Sequence, residues 1–379
     1  MASQRGANEG SIYQRQDHRW VGVLHVGYSG GKRQRKSFYA GTRQEVASKL
    51  AGAVRDRQLG KAPVPEREKL GDFLGRWLED NARHSVCAAT HLRYERMLRL
   101  HIIPEIGHLK LARLTADDLD ALYSRLLDGG LSPPTVRLAH AIVHRALSHA
   151  LRRGSVAANV AAVATVPTAP RREFRALTPE EAGRLLKAAM SDRFYALYSL
   201  ALTCGLRQAE LLGLRWADLD LAGAVLHVRQ QVYRLKGEWV ITTPKTAAGR
   251  RTVSLSGMAV EALHERRLAQ NKERLRAQTW EELDLVFSTT TGTPTEKGNL
   301  LRRSFQPLLA RAGLRPMRFH DLRHTAASLL LAEGVNVKVI QEMLGHSSIS
   351  LTLDVYGHTL PSMQADAAAT MGRLFAATS

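Results

Sequence analysis

The first part of the chain alternates hydrophobic and polar residues with a period of two. Alternation over residues 19–26 is typical of a half-buried strand, and Ser29-Gly30-Gly31 follows it as a turn. The basic segment 32–39 is expected to form the next strand, and Thr42 begins a capping-box pattern for a helix. We therefore predict a small three-stranded sheet and one helix within residues 1–63.

A helical period replaces this alternation over residues 68–165. Proline and glycine mark the ends of the helices, because proline fits a first turn and glycine favours the position after a last turn. The predicted helices lie around Phe73 and Trp77, from about His91 to a stop before Pro104, after the cap at Thr115, and from Pro133 to Arg153. Residues 64–167 are therefore expected to form a helical bundle.

A further domain is expected after residues 166–172, which resemble a hinge because prolines interrupt the pattern. Thr178-Pro179-Glu180-Glu181 is typical of the capped start of a new helix. A β-rich stretch over residues 224–256 interrupts an otherwise mainly helical pattern. The predicted fold is multidomain α+β, with a sheet-and-helix domain at 1–63, the bundle at 64–167, and a mainly α domain with a small antiparallel sheet at 173–379.

The composition favours a globular protein inside the cell. Hydrophobic residues make up 44% of the 379 residues, yet no apolar run is long enough to span a bilayer and no secretion signal is apparent. Cys87 and Cys204 match no metal-binding spacing, so we expect buried, reduced thiols. The histidines form no cluster with cysteine. The sequence thus predicts a soluble cytoplasmic protein without a bound metal and without membrane association.

The net charge of +19 indicates a polyanionic partner, with nucleic acid ahead of an anionic membrane. Residues 1–63 are the most basic part, with twelve Lys/Arg against four Asp/Glu. Their side chains could contact DNA phosphates and bases or could only solubilise an edge strand, and we favour contact with DNA. The predicted DNA-binding residues are Arg19, Lys32, Arg33, Arg35 and Lys36 in the sheet and Arg93, Arg96 and Arg137 in the bundle.

Candidate chemistry begins at Arg207, which is expected near the N-terminus of a helix after a turn at Gly205. Free backbone N–H groups and the helix dipole favour an anion there, and a planar guanidinium can hold two phosphate oxygens at once. Glu210, one helical turn further on, could orient that guanidinium. An ordinary surface Arg–Glu pair explains this segment equally well.

A lysine is the next candidate. Residues 239–243 and 251–254 are predicted to flank a turn as the two strands of a hairpin, with Lys245 near its tip. A lysine whose pKa is lowered by other cations and by burial could protonate a leaving oxygen. A turn lysine that only aids solubility is the alternative.

The last candidates lie near the C-terminus. His320 and Arg323 are three residues apart and so share one face of a helix, whereas His324 is expected to pack in the interior. His346 follows a glycine that is expected to end the next helix. Tyr356 comes ten residues later, after a short apolar run, and such a tyrosine is usually a packing residue.

The combination favours attack by a tyrosine on a phosphodiester. A phenol has an ordinary pKa near 10, so its phenolate needs cationic neighbours. Arg207, Arg323 and His346 could stabilise the negative charge of a phosphoryl transition state. No carboxylate cluster is placed to hold magnesium, and no phosphate-binding glycine loop is present. We therefore expect chemistry that needs neither a metal nor a cofactor.

With these motifs in this order, the chain resembles the tyrosine recombinase family, specifically the integrases of temperate phages and integrative elements. The resemblance covers the whole domain layout, and its motifs lie in the last domain. The matching segments are Gly205-Leu206-Arg207-Gln208-Ala209-Glu210-Leu211, Lys245, His320-Asp321-Leu322-Arg323-His324-Thr325, Leu344-Gly345-His346 and Thr352-Leu353-Asp354-Val355-Tyr356.

The resemblance implies a mechanism and partners. Tyr356 would form a 3′-phosphotyrosyl link, Lys245 would protonate the leaving 5′-oxygen, and His320 would assist in proton transfer or phosphate binding. The first domain would bind arm-type DNA sites, and the SAM-like bundle would bind the core site. The partners would be double-stranded DNA at attachment sites, three further protomers in a homotetramer, and, as an open possibility, a directionality factor and a DNA-bending protein.

Three other functions are compatible with parts of the pattern. A host recombinase that resolves chromosome dimers would use the same chemistry, but such enzymes usually lack an extra N-terminal sheet. A type IB topoisomerase would share the nucleophile, and the separate arm-like domain disfavours it. A catalytically idle DNA-binding regulator would have no need of the intact motif set.

Overall fold

The computed structural model describes residues 11–29, 32–58, 68–168, 175–244, 246–346, 348, 373 and 375. The chain forms two compact units, Met1–Arg171 and Arg172–Ser379. The finer predicted division into 1–63, 64–167 and 173–379 stays a prediction. Two predicted site residues, Lys245 and Tyr356, lie outside the described residues.

The first unit begins with a three-stranded antiparallel sheet and one helix, as the alternation predicted. The strands are β1 (Ser11–Gln14), β2 (Trp20–Ser29) and β3 (Lys32–Ala40), and the helix is α1 (Arg43–Gln58). Thr42 caps this helix by accepting the Glu45 N–H at 3.3 Å. A Cβ at Gly22 would lie 2.7 Å from Val46 Cγ1, so the glycine lets α1 pack closely on β2. Leu50 lies beside this contact, and both Leu50 and Leu24 are buried.

The rest of the first unit is a helical bundle. Its helices are α2 (Leu70–Trp77), α3 (Arg83–Ser85), α4 (Ala88–Met97), α5 (Ile103–Ile106), α6 (Ala116–Asp128) and α7 (Pro133–Arg152). Their apolar faces meet in one core that includes Leu74, Leu98 and Val143. The predicted cap at Thr115 is confirmed, because its Oγ1 accepts the Asp118 N–H at 3.2 Å.

The predicted stop before Pro104 is wrong. The second helix begins at Ala88 and continues through a π-helical turn at Leu98–Ile102 to Ile106. Pro104, which has no N–H to donate, lies at the second residue of α5, directly after this π-helical turn. The π-helical turn accommodates the proline within a continuous helix.

The expectation of two buried thiols was also wrong, since Cys87 is exposed before α4 and only Cys204 is buried.

The second unit is mainly helical. Its helices are α8 (Pro179–Ala189), α9 (Tyr195–Thr203), α10 (Gln208–Leu212), α11 (Gly257–Arg276), α12 (Lys297–Leu300), α13 (Gln306–Arg311), α14 (His320–Ala332) and α15 (Val337–Leu344). The predicted capping box opens α8, where Thr178 Oγ1 accepts the Glu181 N–H at 3.2 Å. Helix α9 is central, and buried residues such as Leu197 and Leu200 surround its axis. Among the described residues, none of the helices combines the length and apolar character that crossing a bilayer requires.

The β-rich stretch of this unit pairs differently from the prediction. Its strands are β4 (Leu219–Asp220), β5 (Val225–Val228), β6 (Gln231–Leu235), β7 (Glu238–Thr242) and β8 (Arg251–Ser254). Strand β7 pairs with β6, and β8 pairs with β5, so residues 239–243 and 251–254 do not form the predicted hairpin. The turn between β6 and β7 is Lys236-Gly237, with φ of 50° and 89°. Such a two-residue turn matches the twist of antiparallel strands, which explains why the nearer strands pair.

Candidate active site

The first part of the site is Arg207, which immediately precedes α10 as the sequence predicted. Gly205 turns the chain just before it with a φ of 60°, and a Cβ there would collide with the side chain of Leu344. The Arg207 side chain is 38% exposed. One arm of its guanidinium donates to Glu210 Oε1 at 2.7 Å, and the other donates to the Gly345 carbonyl at 3.0 Å. Arg207 is thus oriented from both sides while part of it stays open to solvent.

Glu210 holds two guanidinium groups. It accepts from Arg207 and also from Arg251, whose two terminal nitrogens lie 3.2 and 2.9 Å from its two oxygens. Burial acts to raise the pKa of this carboxyl, but the hydrogen bonds and charges of Arg251 and Arg207 outweigh it, so the pKa is lowered. The Glu210 side chain is only 2% exposed, so the surface-pair interpretation is wrong.

Arg323 lies beneath the same site. It projects from α14 and is buried, with an exposed fraction of 2%. Its two terminal nitrogens donate to the carbonyl oxygens of Gly205 at 2.7 Å and Leu344 at 2.6 Å. The guanidinium therefore bonds to the turn before Arg207 and to the end of α15.

The end of α15 is where these contacts meet. Gly345 adopts a left-handed φ of 67° after the helix, as the sequence predicted for this glycine turn. A Cβ at Gly345 would lie 2.5 Å from the Ala248 carbonyl oxygen, so glycine is required by space as well as by backbone geometry. His346 follows directly, and its carbonyl accepts from Gln341 Nε2 at 3.1 Å.

The histidines of the site are surrounded by positive charge. Burial and the charges of neighbouring histidine and arginine side chains lower the pKa of His320 and of His346 to about 4. His324 also has a lowered pKa, mainly through burial. The rings of His320 and His324 meet edge to face, with centroids 4.7 Å apart. At neutral pH all three imidazoles are therefore uncharged in the protein alone.

The sequence missed one residue of this site. Arg251 stands at the start of β8 with its side chain only 6% exposed, and no role was predicted for it. A signal existed, because a glutamate in the first turn of a buried helix needs a cationic partner. Two adjacent arginines follow the turn in the sequence, and the sequence alone does not tell which of them points inward.

The other predicted residues are distributed as follows. Lys245 and Tyr356 lie outside the described residues, and for Lys32, Arg33 and Lys36 the described part is the backbone of β3. Arg19 and Arg35 are exposed in the sheet region. Arg93, Arg96 and Arg137 are exposed on the bundle. All of these predicted DNA-binding residues belong to the first unit. The described site lies in the second unit and brings together Arg207, Glu210, His320, Arg323 and His346.

The described residues contain no group of three or more His, Cys, Asp or Glu side chains placed to hold a metal ion. The site is instead built from guanidinium groups, imidazoles and one buried carboxylate. Such a set can bind a phosphate and stabilise negative charge on it.

Two family sequence models match the chain. The model of the Phage integrase family matches residues 175–363, which contain the whole described site. The model of the phage integrase N-terminal SAM-like domain matches residues 69–127 within the bundle.

Three relatives are similar in sequence, two of them over more than 90% of both proteins. A tyrosine recombinase XerC-like protein of Caldanaerobacter subterraneus is 30% identical over 91% of this chain and 93% of its own length. An integrase of Streptomyces ambofaciens is 30% identical over 99% of this chain and 98% of its own length. The ICEBs1 integrase of Bacillus subtilis is 32% identical over about half of each protein, 52% of this chain and 54% of its own.

A solved structure has a similar fold. The Tn1549 transposon integrase, in complex with a circular intermediate DNA, matches with a TM-score of 0.68 and 22% sequence identity. The match covers 81% of this chain and 99% of that one. At this identity the likeness concerns the fold.

Proposed function

The chain belongs to the phage integrase family of tyrosine recombinases and is a site-specific DNA recombinase, and we propose that it acts through Tyr356. In this proposal, Tyr356 attacks the scissile phosphate of double-stranded DNA. A bond forms between the phenol oxygen and phosphorus as the bond from phosphorus to the 5′-oxygen breaks. The number of phosphoester bonds is conserved, so strand rejoining by a 5′-hydroxyl needs no external energy source.

One observation carries the proposal. Arg207 and Arg323 come from segments more than a hundred residues apart, yet they donate to the consecutive carbonyls of Gly345 and Leu344, directly before His346. Two fork-shaped cations are thus held at the residues directly before His346, and such a set suits a phosphate whose charge grows in the transition state.

Each side chain is given a role in this proposal. Arg207, with its exposed edge, contacts the phosphate oxygens, and Arg323 supports them from the interior with its charge. His346 completes the cationic side of the transition state. His320 assists in proton transfer or phosphate binding, and Glu210 orients Arg207. Lys245 protonates the leaving 5′-oxygen.

The neutral state of the imidazoles fits this scheme. The cations that lower the pKa of His320 and His346 are the ones that would bind the phosphate. An anionic phosphate beside them would raise both pKa values again, because opposite charge favours the protonated form. A neutral imidazole can accept a proton on binding and donate it later.

The substrate proposed is a pair of DNA attachment sites, and the working assembly is a homotetramer in the cytoplasm. Relatives named as integrases of an integrative element and of a transposon support recombination of a mobile element. The small basic N-terminal sheet supports an arm-type DNA contact by Arg19, Lys32, Arg33, Arg35 and Lys36. A directionality factor and a DNA-bending protein are proposed as accessory partners.

The test is to trap the covalent intermediate on a nicked suicide substrate of attachment-site DNA. After cleavage, the short 5′-hydroxyl strand diffuses away, and the protein stays linked to DNA in a denaturing gel. The wild-type protein should form the adduct, and Tyr356→Phe should bind the DNA with similar affinity and form none. An adduct that survives Tyr356→Phe would place the nucleophile elsewhere and contradict the proposal.

A further inference from the structure

Arg251 makes four hydrogen bonds to three different segments of the second unit. Its two terminal nitrogens donate to Glu210 at 3.2 and 2.9 Å, and one of them also donates to the Gly249 carbonyl at 3.1 Å. Its Nε donates to the Met343 carbonyl at 2.6 Å. The side chain therefore joins the start of α10, the segment after residue 245 and the end of α15.

We propose that Arg251 is a positioning residue for DNA cleavage, which acts through Glu210 to fix the guanidinium of Arg207 and through the end of α15 to fix His346. This inference rests on the proposed function and adds a residue that does not itself touch the DNA. Its side chain is 6% exposed, so it has almost no surface with which to meet a substrate.

The position requires an arginine. The guanidinium has donors in a fixed plane, which lets one side chain bond a carboxylate with two parallel N–H groups and still donate from Nε. Lysine has one charged nitrogen and cannot reach Glu210 and the Met343 carbonyl in the same geometry. The carbonyls at the end of a helix carry partial negative charge, so the cation is favoured there as well.

The consequence for Arg207 follows from the shared carboxylate. Glu210 is buried, and each of its two oxygens accepts from both arginines: Oε1 from the Arg207 guanidinium and Oε2 from the Arg207 backbone N–H, with one terminal nitrogen of Arg251 on each oxygen. Without Arg251, the carboxylate would lose two of these four hydrogen bonds and the buried cation beside it, so its plane would be less fixed and the Arg207 guanidinium bonded to it would shift. A displacement of about 1 Å at a catalytic group lowers a rate about 100-fold, so cleavage should suffer far more than DNA binding.

The neighbouring Arg250 supplies a matched control. It has the same charge and lies one residue earlier, but it is exposed. Arg251→Met should lower the first-order rate of covalent adduct formation at saturating DNA by about 100-fold while the dissociation constant for DNA changes less than about threefold. Arg250→Met should leave the rate within about threefold. Arg251→Lys should recover at most a small part of the loss.

A double-mutant cycle with Glu210→Gln separates positioning from general destabilisation. If Arg251 acts through Glu210, Arg251→Met should lower the rate less than about fivefold further once Glu210 is already Gln. Equal losses in both backgrounds would overturn the action of Arg251 through Glu210. Because Arg251→Met could weaken folding, thermal melting of each variant is measured, and Arg251→Lys retains the charge in case the Met variant does not fold.

The outcomes for this inference and for the proposed function are distinct. If the wild-type protein forms no adduct through Tyr356, the proposed function fails. If the adduct forms and a folded Arg251→Met or Arg251→Lys variant cleaves as fast as the wild type, only the role of Arg251 fails.

Discussion

The arginines of the candidate site and those of the helical bundle carry the same charge but differ in their burial and in their bonding partners. Arg323 and Arg251 are buried and bonded to backbone carbonyls or a buried carboxylate. Arg93, Arg96 and Arg137 are exposed, and none of them has an ion-pair partner among the described residues. Solvent screens an exposed charge and leaves its side chain several rotamers. Burial strengthens the electrostatic interactions of a charge and restricts its side chain to one orientation.

Under the proposed function, this difference separates two uses of positive charge. In the site, the position of each guanidinium matters, because transition-state charge is stabilised only by groups already in place. On the bundle, we expect a cation that meets a DNA phosphate to contribute by releasing a counterion, which depends little on its exact orientation. Substitutions in the site should therefore change the rate of cleavage, and substitutions on the bundle should change affinity.

The largest effect is expected from Arg323→Lys. Lysine keeps the charge but carries its donors on a single nitrogen, so it cannot bond the Gly205 and Leu344 carbonyls in the geometry of the two guanidinium nitrogens, and these buried bonds would weaken. The charge would also shift relative to the phosphate. We expect the first-order rate of adduct formation on a suicide substrate to fall by about 1,000-fold, with DNA affinity within a few-fold of the wild type.

The control for this substitution lies just before the same helix. Arg318 donates to Asp321 with a similar fork, but its side chain is 56% exposed. Arg318→Lys should change the cleavage rate by less than about fivefold. Similar losses for the two variants would mean that burial of the guanidinium does not distinguish the site from its surroundings.

The sequence predicted much of this site because its motifs are local. Arg207 and Glu210 lie in one turn, and a left-handed Gly345 ends a helix in a way that its neighbours already indicate. Each of these features depends on residues three or four positions apart, which helix geometry relates directly. The same holds for the caps at Thr115 and Thr178.

What the sequence did not predict depends on long-range contact at Arg251 and on two unrecognised local features elsewhere. The inward direction of Arg251 is set by Glu210 and Met343, which lie 41 and 92 residues away. The predicted pairing of β7 with β8 was wrong. The tight turn at Lys236-Gly237 joins β7 to β6 instead, and this turn was not recognised in the sequence. The helix through Pro104 required a π-helical turn, which has no clear sequence signal.

The crowding of cations in the site should also appear in the pH dependence of stability. His346 has a pKa of about 4 in the folded protein, below the ordinary value near 6.5 of an unfolded chain. Between these values the unfolded chain binds more protons, so the contribution of His346 to stability is present above pH 6.5 and is lost as the pH falls toward 4. The slope of unfolding free energy against pH reports how many more protons the unfolded chain binds. His346→Gln should reduce that difference by up to about one proton in this window.

Chemical denaturation at several pH values between 4 and 7 measures this slope. The same substitution at His264, which is exposed on α11, provides the comparison. If His346→Gln and the wild type lose stability in parallel on acidification, the cations of the site do not act on this imidazole as inferred.

The smallest effect is expected on the bundle, where two arginines on neighbouring turns differ in their partners. Arg96 is exposed and has no ion-pair partner among the described residues, whereas Arg99 donates to Glu95 at 2.7 Å. If Arg96 contacts a DNA phosphate, Arg96→Gln should make the dependence of log affinity on log salt shallower, reducing the magnitude of its slope by about 1. Arg99→Gln should reduce this slope less, because Glu95 already neutralises that charge.

Titrations at several salt concentrations would test this, and with saturating DNA both variants should cleave at the wild-type rate. A reduced cleavage rate for Arg96→Gln under those conditions would mean that the bundle, too, positions charge rather than only supplying it.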